Sequence, residues 1–185
     1  MNLLVDKLPT DYEGLKIDTN FRSFILFELL MQDNELKEEE KIYLSINLFY
    51  KEPPQDLKKA IEGILWFYRC GEEEKKVGKS GGESRKKQIY SYEYDAKLIY
   101  SAFLDQYGID LNEIDQLHWF KFKALFEGLK SDNKICEIMS YRSIDLNKIK
   151  DKDERKKYRK LQREFALPDN RTIEEKEQDF ANALW

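Results

Sequence analysis

The chain has 185 residues, of which 41% are hydrophobic and 37% are charged, and its formal net charge at pH 7 is -4. This composition predicts a soluble globular protein and excludes the collagen-like, disulfide-rich and membrane-spanning classes. The acidic balance also differs from the basic domain that is typical of nucleic-acid-binding proteins.

Two features of the sequence favour a cytoplasmic location. Residues 1–7 contain neither a basic leader nor an apolar stretch of signal-peptide length. The two cysteines, Cys70 and Cys136, lie far apart, which is typical of free thiols in a reducing compartment rather than of a disulfide.

The first half of the chain predicts a hairpin followed by three helices. Residues 3–5 and 15–17 flank a turn-rich stretch, which is typical of a small β-hairpin. Apolar periodicity then predicts helices over residues 20–32, 37–50 and 55–70. Asp18 or Thr19 is the expected cap of the first of these helices. That helix is apolar over so wide a face that we expect it to be covered on most sides.

A loop is predicted between the two halves. Residues 71–88 contain four of the eight glycines and Val77 as the one strongly apolar side chain. Such a segment cannot bury enough surface to offset its ordering entropy, so we expect it to be mobile.

The second half is also mostly helical in its pattern. We expect an extended run over residues 89–95. Helices are then expected over residues 96–107, 110–126, 133–141 and 147–165. Asp95 is the expected cap of the first helix, and Gly108 its end. A capping-box pattern predicts a short last helix within residues 168–185. The resulting prediction is a mainly α single domain over residues 1–185, with about seven helices in a compact bundle and halves at 1–70 and 89–167.

Three motifs that suggest chemistry have simpler structural explanations. Residues 78–80, Gly-Lys-Ser, resemble the end of a phosphate loop, but Glu73 stands where that motif requires glycine. His118 is the only histidine and has no cysteine at zinc-motif spacing. The acidic clusters at 38–40 and 72–74 lack the spacing of a calcium loop. No catalytic, cofactor-binding or metal-binding residue is therefore predicted, and an enzyme built around His118 is the third of three hypotheses.

Two other patterns point to macromolecular partners. Residues 148–163 carry nine Lys or Arg side chains, which suit phosphate groups or an acidic protein, although interspersed acids favour a solvated face. Aromatic residues are 14% of the chain, and neighbours at 66–68 and at 119–120 point in different directions on a helix. The aromatic residues therefore either fill a two-sided core or include a docking surface.

Several stretches, taken together in their order and spacing, resemble a family of small tail proteins from phages and prophages of Gram-positive bacteria. They are the stretches at 18–22, 66–71, 92–96, 107–111, 117–122 and 138–142, and the resemblance covers about residues 1–165. It implies a gene between those of the major tail protein and the tape-measure protein. It also implies a tail assembly chaperone that coats the tape measure and is absent from the finished virion.

The resemblance and the aromatic excess give the first functional hypothesis. It is a non-catalytic tail assembly protein of the host cytoplasm that shields a tape-measure helix in an aromatic-lined groove, without cofactor or membrane. The candidate protein-contacting residues are Trp66, Phe67, Tyr68, Trp119, Phe120 and Arg142. The alternative is a nucleic-acid-binding or host-protein-binding accessory protein that uses the basic helix 148–163. A homo-oligomer is compatible with both.

Overall fold

The protein is described by a computed structural model that covers residues 2–72 and 88–168. Within these ranges the chain forms seven α-helices and one antiparallel hairpin, which confirms the predicted mainly α fold. The helices are α1 (Phe21–Gln32), α2 (Glu38–Phe49), α3 (Leu57–Tyr68), α4 (Ala96–Tyr107), α5 (Trp119–Glu127), α6 (Lys134–Ser143) and α7 (Lys152–Glu164). Most of the predicted loop at 71–88 and of the predicted helix at 168–185 lies outside the described residues.

The hairpin is present but smaller than predicted. Strand β1 (Asp11–Tyr12) pairs with β2 (Leu15–Lys16), with Asp11 opposite Lys16 and Tyr12 opposite Leu15. Residues 3–5 form a turn instead of a strand. Gly14 takes a φ of 85°, which glycine adopts without steric cost, and its amide donates to the Asp11 carboxylate at 3.0 Å.

Capping residues fix the ends of the helices. Asn20 caps α1 in place of the expected Asp18 or Thr19, and its side-chain oxygen accepts the Arg22 amide at 3.1 Å. Helix α4 ends at Gly108, which has a φ of 64°, as predicted for a glycine just past a helix end.

The helix predicted over 110–126 is wrong in its first half, because α5 begins only at Trp119. The preceding segment pairs instead with the chain before α1. The Phe21 amide donates to the Leu117 carbonyl at 2.9 Å, and the Trp119 amide donates to the Thr19 carbonyl at 2.8 Å. Backbone groups satisfied by this distant partner have no need of a helix.

Two other predictions are wrong in detail. The expected extended run at 89–95 contains a turn at residues 92–94. The charged helix expected over 147–165 is divided into a short 3-10 helix (Leu146–Lys148) and α7. Asp151 separates the two, because its carboxylate accepts the Glu154 amide at 2.7 Å and caps α7.

Aromatic rings from several helices form the centre of the core. The largest fully buried side chains are Trp119, Phe24, Phe67, Phe103, Phe122, Ile64 and Ile135. Phe122 stacks on Phe21 and on Phe103, with ring centroids 5.0 Å apart in each pair. The core therefore includes side chains from both before and after residues 73–87. Many of the aromatic side chains that are in excess in the composition lie in this core.

Candidate functional site

The structure places most of the six candidate side chains in the interior. Trp66 and Tyr68 are half-buried. The other four are buried, with exposures of 0% for Phe67, 1% for Trp119, 3% for Phe120 and 6% for Arg142. In this conformation these four side chains offer no surface to a partner, and they support the surface from beneath.

Trp119 fills the junction of α1, α3 and α5. Its ring stacks on Phe24 at 5.0 Å and on Tyr68 at 6.0 Å between centroids. Its indole N–H donates to the Tyr68 carbonyl at 3.1 Å, so the one polar atom of the side chain is satisfied. A buried tryptophan needs such a partner, because an unpaired N–H in the core is costly.

Arg142 joins several segments through a buried ion pair. Its guanidinium donates to both carboxylate oxygens of Asp95, at 2.6 and 3.0 Å, and the two side chains are only 7% and 5% exposed. It also donates to the carbonyls of Phe165 at 2.6 Å and Ile89 at 3.0 Å. Arg142 thereby ties α6 to the start of α4, to the end of α7 and to the segment that precedes α4.

His118 is held in one neutral tautomer. Its Nδ1 accepts the Phe120 amide at 3.1 Å as the cap of α5, so the proton lies on Nε2, which donates to the Pro9 carbonyl at 2.9 Å. Burial lowers the pKa of His118, Lys121 lowers it further, and the bond to Pro9 opposes the shift. A half-buried, neutral imidazole that caps a helix has a structural role.

The lowered pKa of His118 predicts a pH dependence of stability. Because the unfolded state takes up the proton more readily, the free energy of unfolding should decrease as the pH falls below the ordinary pKa of 6.5. The variant His118→Asn keeps a capping side chain but cannot be protonated. Denaturant titrations at pH values around and below 6.5 should show that the free energy of unfolding depends less steeply on pH in the variant than in the wild type. Equal slopes would contradict the lowered pKa of His118.

A second cluster of titratable groups surrounds Glu28 on α1. Burial raises the pKa of Glu28, while the hydroxyl of Tyr68, which donates to its carboxylate at 2.9 Å, and the nearby Lys123 oppose the shift. Burial also raises the pKa of Tyr92 and of Tyr90. The raised pKa values mean that these phenols stay protonated at neutral pH.

The cysteines are free thiols in the structure. Burial raises the pKa of Cys70 to about 11, so its thiol stays protonated and weakly nucleophilic at neutral pH. In the part of the chain that the structure describes, no group of three or more His, Cys, Asp or Glu side chains is placed to hold a metal ion. The helices of the same ranges are all too short or too polar to span a membrane.

The core covers one side of α1 only in part, because Ile25 and Leu29 pack against it while remaining half-buried. Ile25, Leu26, Leu29 and Leu30 lie on one side of the helix, away from the buried Phe24. Leu26 is 52% exposed, and the other three are half-buried. Among the described residues α1 is thus covered on most sides, as expected, and Leu26 is the exposed position on this side. We call these four residues the α1 stripe.

Arg22 fixes the end of the α1 stripe. Its guanidinium donates to the carbonyls of Leu111 at 2.7 Å and Ile114 at 2.9 Å. The loop before α5 is thereby attached to the first turn of α1. The stripe is held by these bonds at one end and by buried rings beneath it, so it is a fixed surface.

Helix α7 presents a basic face. Its half-buried residues Tyr158 and Leu161 lie on the side that faces α6. The ring centroids of Tyr158 and Tyr141 are 6.4 Å apart. The exposed cations on the other side are Lys156, Lys157, Arg159, Lys160 and Arg163. No carboxylate within residues 2–72 and 88–168 forms an ion pair with any of them.

Comparison with known families identifies the chain over nearly its whole described length. The model of the family described as bacteriophage Gp15 protein matches residues 4–167. The chain belongs to this family. This confirms the prediction of a bacteriophage protein family. The description names neither a partner nor an activity, so the tail role, the Gram-positive host and the gene position stay predictions. Searches of curated proteins and of solved structures found no match.

The match to the bacteriophage Gp15 protein family includes every surface described above. It spans α1 to α7 and contains all six candidate residues as well as the α1 stripe. It ends two residues after Phe165, whose carbonyl accepts the Arg142 guanidinium. The segments that Arg142 joins all lie within the matched residues.

Proposed function

We propose that this bacteriophage Gp15 family protein is a non-catalytic, chaperone-like factor of phage tail assembly. It binds the tape-measure protein or tail subunits in the host cytoplasm, before tail-tube subunits polymerise. The α1 stripe is the observation that carries the proposal, because a fixed apolar surface on a phage protein suits the capture of another polypeptide.

The shape of the α1 stripe suits a helical partner. Side chains at 25, 26, 29 and 30 form a narrow row along the helix, and an amphipathic helix places its own apolar residues at the same spacing. Full burial of a leucine contributes about 1.5–3 kcal/mol relative to exposure. Covering Leu26, which is 52% exposed, therefore contributes part of the driving force for a contact, and its half-buried neighbours add less.

The packing beneath the α1 stripe lowers the cost of binding. Phe24 and Phe27 hold the opposite side of α1 in the core, with exposures of 0% and 6%. Arg22 fixes the first turn through the loop carbonyls. Because the surface is ordered before binding, little conformational entropy is lost when a partner docks.

The variant Leu26→Asp tests this function. We expect it to reduce co-purification with the co-expressed tape-measure protein about tenfold or more, since a charge replaces the most exposed leucine of the stripe. Leu104→Asp is the matched control, because Leu104 is also exposed, at 42%, and lies on α4. Equal recovery of the partner by both variants, or equal loss, would contradict the proposal.

The basic face of α7 favours the alternative function, binding to nucleic acid or to an acidic host protein. A gel-shift assay at low salt distinguishes nucleic-acid binding from the tail assembly function. Binding of nucleic acid that is lost when Lys156, Lys157 and Lys160 are changed to Glu, and that weakens steeply with salt, would favour the alternative.

A further inference from the structure

The end of α7 is connected to the end of α1 by a short series of contacts. The Phe165 carbonyl, just after α7, accepts from the Arg142 guanidinium at 2.6 Å, and the same guanidinium donates to the Ile89 carbonyl at 3.0 Å. The preceding residue, Gln88, has its side-chain nitrogen 3.5 Å from the side-chain oxygen of Gln32, which is the last residue of α1. The chain therefore leaves the described residues, at 168, on the side of the molecule where α1 ends.

Gln32 lies beside the α1 stripe, because residues three positions apart are neighbours on a helix surface and Leu29 belongs to the stripe. The twelve residues 168–179 span about 18 Å as a helix and about 40 Å when extended. The extended length exceeds the combined length of the guanidinium, the residue pair 88–89 and the two glutamine side chains that separate Phe165 from Gln32. The residues from 180 onward can therefore reach the α1 stripe of their own chain.

The residues that can reach the stripe carry an apolar row of the same spacing. Phe180, Ala181, Leu184 and Trp185 stand at positions i, i+1, i+4 and i+5, within the stretch where a short helix is predicted, and this spacing places them on one face of such a helix. The four residues of the α1 stripe have the identical spacing. Two such rows can pack along each other. The six residues before Phe180 are all charged or polar, so this apolar row has no continuation on that side.

A weak contact is sufficient for docking, because the segment is tethered to the chain that it covers. A short flexible linker gives an effective concentration on the order of 1 mM, so a contact with a dissociation constant of about 1 mM is half-formed. Docking would cover Leu26, which is 52% exposed, with the rings of Phe180 and Trp185, and aromatic side chains contribute much of the energy of such contacts. A contact of this strength is readily displaced by a partner that binds more tightly.

We propose that residues 169–185 fold back on their own chain and place Phe180, Ala181, Leu184 and Trp185 on the α1 stripe. The docked segment competes with the tape-measure or tail partner and keeps the stripe covered until that partner is present. This competition rests on the proposed function, whereas the docking itself does not. The family match ends at residue 167, so the autoinhibitory segment lies outside the matched residues while the surface that it covers lies within them.

Methyl NMR spectra of the full chain, with labelled isoleucine and leucine methyl groups, test the docking. Phe180→Asp should shift the Leu26 and Ile25 signals, because an aromatic ring is removed from beside them. Asn182→Asp is the matched control, since it adds the same charge off the apolar row and should leave these signals unchanged. Circular dichroism checks the folding of each variant, and Leu184→Asp replaces Phe180→Asp if the latter is unfolded. The wild-type signals should not move on dilution by about tenfold, because the contact lies within one chain.

Recovery of the co-expressed tape-measure protein tests the competition. Phe180→Asp should recover about threefold more of it than the wild type, because the binding-competent state is no longer depleted by the docked one, and Asn182→Asp should match the wild type. The proposal is overturned if Phe180→Asp leaves the Leu26 signal in place, if the signals move on dilution, or if Phe180→Asp recovers no more partner than a wild type that binds it. A shifted Leu26 signal without tape-measure protein in any preparation would support the docking and contradict the tail function.

Discussion

Replacing Arg142 by methionine is expected to lower the free energy of unfolding by about 3–5 kcal/mol. The substitution leaves the Asp95 carboxylate buried without its cation, and a buried unpaired charge is strongly destabilising. It also removes the donors to the carbonyls of Phe165 and Ile89. We therefore expect α7 to be the first element to lose hydrogen-exchange protection in this variant.

Denaturant titration of Arg142→Met measures this effect. Arg142→Lys keeps the charge but cannot make the two parallel bonds to Asp95, so it should show a smaller loss. Lys58→Ala is the control, because Lys58 and Glu62 form an ion pair at 3.9 Å with side chains 87% and 52% exposed, and such pairs contribute little. A loss for Arg142→Met no larger than for Lys58→Ala would refute the structural role of the buried pair.

Replacing Trp119 by alanine is expected to cost about 3–5 kcal/mol of stability. The side chain is 1% exposed, and its removal leaves a cavity among Phe24, Tyr68 and Phe122. The Tyr68 carbonyl would also lose the indole donor. Trp119→Phe retains a ring and should cost less, although the carbonyl is still left unpaired.

Thermal and denaturant unfolding of the Trp119 variants give the measurement. Leu104→Ala is the matched control, because this leucine is 42% exposed, and exposed substitutions usually change stability by about 0.5 kcal/mol or less. If Trp119→Ala retained most of the wild-type stability, or if Trp119→Phe were the less stable variant, the assignment of Trp119 to the centre of the core would be wrong.

The elements that the sequence predicted well are those that local chemistry determines. Helix α4 lies where the pattern placed it, because Gly108 can take a left-handed conformation at its end. The small hairpin follows from the turn residues around Gly14. In both cases the determining residues lie within a few positions of the element itself.

The elements that the sequence did not predict depend on distant partners. Residues before Trp119 have a helical pattern, but Leu117 and Trp119 are bonded to Phe21 and Thr19, almost a hundred positions earlier. The Asp95 carboxylate makes no capping bond to α4, because it is bound by Arg142 from α6. Neither pairing is visible in local periodicity.

The sequence predicted the candidate protein-contacting surface only in part. Adjacent aromatics suggested either a core or a docking surface, and the structure buries Phe67, Trp119 and Phe120. Exposed apolar side chains such as Leu26 on α1 and Tyr43 on α2 look like ordinary helix residues in the sequence. Which face of an apolar helix is covered depends on how its neighbours are arranged, and one sequence does not specify this.

The residues at the start of α1 pair with Leu117 and His118, and this pairing has a consequence for synthesis of the protein on the ribosome. Helices α1, α2 and α3 emerge long before α5, which supplies Trp119 and Phe122 to the same core. Until that stretch has been translated, rings such as Phe24 and Phe67 lack their final neighbours. The nascent chain therefore carries exposed aromatic surface during much of its elongation, and it completes its fold only late in translation.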